Sequence, residues 1–151
     1  MEMNLFRVPI AGWKKCAYTA AAFESAPEYH AAKILDSESS VLWWLRNDPV
    51  QFRIPTPAGY MEPDFVYLVE IKGLKRMCIL EVKGEHLWNG PGSSARVKAA
   101  GAAAWAKAVY EARFEPLWEF HEVLGQDAKA SLTLGSMLDK AVVCFEVPRT
   151  S

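Results

Sequence analysis

Two β-rich runs lie back to back in the middle of this chain, and they constrain its fold more than any other feature. Pro63 to Ile71 reads as a strand with its proline near the start. Lys72-Gly73-Leu74-Lys75 turns the chain, and Arg76 to Lys83 returns as a second strand, making a hairpin. Side chains alternate between the faces of a strand. Leu80 and Val82 therefore point one way, into a core, while Glu81 and Lys83 point the other, roughly 6–7 Å apart. Asp64, in the stretch Met61-Glu62-Pro63-Asp64-Phe65, stands on the neighbouring strand. Two carboxylates and one ammonium then converge on one spot.

The flanking segments supply helices and further strands. Ser25-Ala26-Pro27-Glu28 is a helix start, with serine as cap, proline in the first turn and glutamate three residues after the serine. It predicts a helix from Ala26 to Leu35. Residues 1–22 are weakly periodic and read as an irregular arm with a short helix at Lys15–Phe23. Val41 to Leu45 reads as a strand, Gln51 to Ile54 as a short strand and Thr56 to Gly59 as a turn. Asn89 to Gly92 is a loop, and Ser93 or Ser94 caps an alanine-rich helix reaching Ala112. Lys98, Ala102, Trp105 and Val109 form one face of that helix. Leu117 to Leu124 is a strand, 127–139 a small helix and Ala141 to Val147 a last strand. The order predicts an α/β (α+β) domain, a mixed sheet with helices against it.

Composition sets the limits. The chain has 151 residues, 51% hydrophobic and 23% charged, which suits one domain with an ordinary core. Its net charge of −1 excludes a strongly basic nucleic-acid binder, so any phosphate-binding surface must be local. Cys16, Cys78 and Cys144 are odd in number and lack CxxC spacing, which favours a reducing compartment over disulfides or a cysteine zinc site. The N-terminal residues do not read as a secretion signal, and the longest uncharged apolar stretch, Ala99 to Ala106, is far too short to cross a membrane. A cytoplasmic protein is expected, with no membrane partner.

The Asp64, Glu81, Lys83 trio suits metal-assisted phosphodiester hydrolysis. Mg²⁺ takes hard oxygen ligands, so one or two carboxylates plus substrate phosphate suffice. It polarises a phosphoryl oxygen and lowers the pKa of a bound water. A lysine positions that water or stabilises developing charge. Spacing alone is weak support, because charged residues alternate on many solvent-facing strands.

The surrounding residues add to it: Phe23-Glu24-Ser25-Ala26-Pro27-Glu28, Ala32, Leu35-Asp36, Val41, Trp44, Arg46-Asn47, Pro63-Asp64-Phe65, Leu80-Glu81-Val82-Lys83-Gly84, Lys98 with Trp105, and Trp118-Glu119-Phe120. Together they resemble the PD-(D/E)xK nuclease superfamily, and more narrowly the C-terminal endonuclease domain of type III restriction subunits and related DEAD/DEAH-box helicases. The resemblance runs from Phe23 to about Val123. It implies a restriction-endonuclease-like core over 23–125, with 1–22 as an arm and 126–151 as a C-terminal extension. It implies DNA as substrate and Mg²⁺ (or Mn²⁺) as cofactor. Asp64 and Glu81 would be metal ligands, Lys83 the catalytic lysine, and Glu28 the upstream helical glutamate completing the acidic site. Glu24 stands where aspartate is more common. An ATPase/helicase or methyltransferase partner is expected, since no P-loop lysine accompanies Asn89-Gly90-Pro91-Gly92.

Each assignment has a plainer structural counterpart. Glu28 with Ser25 makes a capping box, in which the carboxylate bonds the Ser25 backbone N–H. Lys98 either contacts phosphate or lays its stem along an apolar face. Arg46 and Asn47 either approach phosphate or close their strand. Trp43 and Trp44 point to opposite faces, so one belongs in the core. His30, His86 and His121 stand apart in sequence, with no zinc or serine-nucleophile grouping; His86 follows Lys83 closely enough to edge the site. The alternative function is a nuclease-like module that binds DNA or docks a partner without cutting.

Overall fold

The computed structural model describes residues 5–84 and 94–148. A five-stranded sheet forms its centre. In chain order its strands are β3 (Val41–Arg46), β6 (Phe65–Ile71), β7 (Leu74–Lys83), β8 (Leu117–Leu124) and β9 (Val142–Phe145), and they lie side by side in that order. All neighbours are antiparallel except β7 and β8, which run parallel with Glu81 opposite Glu122. A parallel pair needs a crossover, and helix α2 (Ser94–Glu111) lies within it. The mixed sheet flanked by helices is the architecture expected from the sequence.

Helices cover both faces. Helix α1 (Ala26–Ser37) starts as its sequence dictates: Ser25 is extended and its hydroxyl accepts from the Glu28 N–H, with proline in the first turn. Fully buried Ala31 and Ala32 face the core. With α3 (Gly125–Ala130) and α4 (Leu134–Lys140), α1 packs over a large core containing Phe23, Leu35, Trp44, Phe65, Tyr67 and Leu80. On the other face α2 presents Ala99 and Ala102 to a smaller cluster of Ile54, Met61, Ile79 and Phe120. The hairpin of β4 (Ile54–Thr56) and β5 (Gly59–Met61) packs beside it. The approach is close enough that a Cβ on Gly101 would sit 2.7 Å from Thr56 Cβ.

Several expected elements differ. No helix forms at Lys15–Phe23. The Trp44 N–H donates to the Lys15 carbonyl (3.1 Å) and Ala17 N–H donates to the Trp44 carbonyl (2.8 Å), so this segment extends the sheet beside β3. Ala20–Ala21 then forms β2, paired with β1 (Ile10–Ala11). Gln51 and Phe52 are not strand residues: both N–H groups donate to Asn47 Oδ1, which curls the chain before β4. The helix expected at 127–139 is two, because Thr133 is extended and caps α4 through Ser136 N–H. The final strand stops at Phe145. The expected loop at Asn89–Gly92, with Ser93 and His86, lies outside the described residues. Among the described residues, no helix is long and apolar enough to cross a membrane.

Trp44 is the tryptophan that enters the core. Its indole N–H donates to Asp36 Oδ1 (3.1 Å), and the Asp36 carboxylate also accepts from the N–H groups of Lys14 and Lys15. Burial pushes the Asp36 pKa up, but these three donors outweigh it and hold the group below its ordinary value.

Candidate active site

The hairpin β6–β7 brings the acidic residues together, as its alternation predicts. Asp64 immediately precedes β6, and Asp64 N–H donates to Glu81 Oε1 (2.9 Å). In return Asp64 Oδ2 accepts from Val82 N–H (2.8 Å). Each carboxylate thus grips the other residue's strand. Lys83, two residues along the same face, places Nζ 3.5 Å from Glu81 Oε2. Burial, followed by the neighbouring Asp64 charge and the hydrogen bond between the two side chains, pushes the Glu81 pKa well above the carboxylate range; Lys83 offsets only part of this.

Glu28 reaches the same neighbourhood from α1. Its Oε1 accepts from Arg46 Nε (2.7 Å) and from Glu24 N–H (3.4 Å). The cap is therefore only half the expected box: Ser25 bonds Glu28 N–H, but the glutamate carboxylate turns to Arg46. Burial, then the Asp64 charge, lifts Glu28 to about 7 against the pull of Arg46. Arg46 links the two acids. Its Nη1 donates to the Asp64 carbonyl (3.2 Å) and its Nη2 lies 3.6 Å from Asp64 Oδ1. Asn47 N–H donates to that same carbonyl (2.8 Å), while its side chain holds residues 51 and 52. Arg46 and Asn47 are both buried and spend their polar groups inside the fold. Both close their strand in this way, one of the two roles their sequence allowed.

Glu81 and Lys83 line a cleft of about 430 Å³. Tyr60 and Met61 of β5, with Glu62 just past its end, form one wall, and Ser94 and Lys98 of α2 the other. Lys98 thus lines the cleft, while Trp105, further along the same helix, packs on the smaller core. The cleft also holds Glu122, which the sequence reading missed. It is 2% exposed, its Oε1 lies 3.8 Å from Arg96 Nη1, and it accepts from Cys144 Sγ at 3.5 Å. Burial, then this carboxylate, pushes the Cys144 thiol up to about 12. The signal was a glutamate inside the Leu117–Leu124 strand, but its position beside Glu81 depends on the parallel register.

Asp64 and Glu81 fit a divalent cation. They are hard oxygen donors locked against each other by the Asp64 N–H to Glu81 Oε1 and Val82 N–H to Asp64 Oδ2 bonds, at the edge of a polar cleft. A family model described as an endonuclease domain matches residues 14–119 of the chain. No curated protein and no solved structure matches it.

Proposed function

The chain belongs to the endonuclease-domain family, and on that premise we propose that it is a metal-dependent nuclease hydrolysing phosphodiester bonds in DNA. The observation that carries this reading is the reciprocal lock of Asp64 and Glu81, with Lys83 beside it in an open cleft. Asp64 and Glu81 would hold Mg²⁺ or Mn²⁺. When bound, such an ion polarises the phosphoryl oxygen and makes a bound water nucleophilic near neutral pH.

The chain's own residues supply the rest. Lys83, positioned by Glu81, orients the attacking water or meets charge developing on the phosphate. Lys98 on α2 gives the cleft a second cation for the DNA backbone. Glu28 completes the acidic set from α1, and Arg46 supplies its counter-charge while fixing Asp64. The net charge of −1 suits a module delivered to DNA by a partner. We place it as the cutting part of a restriction or helicase–nuclease system, of the type III restriction kind, with an ATPase/helicase or methyltransferase alongside. A gene for such a partner adjoining this one is the corresponding expectation.

The test is cleavage of plasmid DNA in Mg²⁺ or Mn²⁺ by wild type and Lys83→Ala. Nicking or linearisation by wild type alone is expected. Equal activity of the two proteins would overturn the role of Lys83. Salt-dependent DNA binding by an inert wild type would instead make the chain a binding module.

A further inference from the structure

A second polar cluster lies on the opposite face of β8 from the cleft. Phe120 and Glu122 point towards α2, so Glu119 and His121 point towards the large core. The antiparallel return of β9 then brings Glu146, just past its end, alongside them. One ligand atom from each of Glu119, His121 and Glu146 lies within 4.8 Å of the other two. His121, which stands alone in the sequence, thus has two carboxylates for company in the fold.

The environment of His121 is the independent sign of a ligand. The side chain is only 5% exposed, and its Nδ1 is buried without a hydrogen-bond partner among the described residues. A buried imidazole nitrogen is normally hydrogen-bonded, because burying it unpaired forfeits its bond to water with nothing in exchange. Glu119 is oriented from outside the cluster, its Oε1 3.0 Å from Arg76 Nε. Outer-shell bonds of this kind fix ligating carboxylates. Glu146 is exposed, which gives an ion a way in.

We propose that Glu119, His121 and Glu146 form a second metal site, selective for a borderline divalent ion such as Zn²⁺, that pins the edge strand β9 to β8. One imidazole and two carboxylates suit Zn²⁺ or Co²⁺ better than Mg²⁺, which takes oxygen alone. Three protein ligands leave a tetrahedral ion one position for water.

The experiment titrates the chelator-treated full chain with Zn²⁺ while following its melting temperature, and with Co²⁺ while following visible absorption. Wild type and Asp64→Asn should both gain thermal stability and a cobalt ligand-field band. Glu146→Gln, whose exposed side chain makes misfolding a small risk, should lose both responses, as should His121→Asn. If Asp64→Asn abolishes the responses and Glu146→Gln retains them, the ion sits in the cleft and the proposal fails. If wild type shows neither response, it fails as well. Neither failure touches the nuclease reading, which is scored by DNA cleavage in Mg²⁺.

Discussion

The two faces of the central sheet are built to different ends. Under α1, α3 and α4 the face is filled by rings: Trp13 meets Trp44 edge-on at 5.0 Å, and Phe23 and Phe65 close around them. Under α2 the apolar cluster is smaller, with Phe52 stacked on Trp118 at 5.0 Å, and beside it the sheet opens into the cleft. The filled face gives β6 and β7 a rigid backing. The open face can then hold like charges close together, an arrangement that a compliant sheet would relax.

Perturbing each face in turn should separate stability from chemistry. The largest expected effect is Trp44→Ala on the filled face: a loss of about 3–5 kcal/mol in denaturant-measured stability, from the emptied volume and the severed Asp36 bond. A loss below 1 kcal/mol would show that this face does not carry the fold. Lys83→Ala on the open face should lower the cleavage rate by about 10²–10³ while circular dichroism stays native. Gly101→Ala touches the boundary of that face. Alanine favours a helix, yet its Cβ would meet Thr56 at 2.7 Å and push α2 from β4, so a net cost of about 1–3 kcal/mol is expected, together with weaker DNA binding. Stabilisation by this change would mean that α2 has room to spare.

The smallest effect is on pH. In chelator, Glu28 goes from its ordinary 4.5 in the unfolded chain to about 7 in the folded one. The folded state therefore holds the proton more tightly. This contribution to stability is complete below pH 4.5 and is lost as pH rises through 7. Wild type should lose melting temperature from pH 5 to pH 8 more steeply than Glu28→Gln, which cannot titrate there. Identical slopes would show that Arg46 keeps Glu28 ionised throughout. His121 runs the opposite way: burial lowers its pKa, so its contribution is lost as pH falls below 6.5, equally in both proteins.

What could be read from the sequence was what local alternation determines. Glu81, Lys83 and Asp64 were legible because one hairpin, closed by a glycine turn, aligns them. The start of α1 was legible because its cap lies within four residues. Glu122 was not, since its place beside Glu81 arises from a parallel pairing across an intervening helix. The inward course of Arg46 depends on a partner from α1, and strand residues give no hint of it. The missing helix at Lys15–Phe23 has the same cause. Bonds to Trp44, well over twenty residues away, override a weak local preference. Glu119, His121 and Glu146 required the return of β9.

The double attachment of Arg46 has a temporal side. Glu28, Arg46, Asp64 and Glu81 come from four separate stretches, and one guanidinium closes the circuit between the first and third. Until α1 has docked and β3 has joined the hairpin, a nascent chain has the Asp64–Glu81–Lys83 trio but neither Glu28 nor the guanidinium that holds Asp64. The complete acidic set is therefore a property of the whole fold: loosening α1 alone would take away Glu28 and one anchor of Arg46 while the hairpin trio stayed in place.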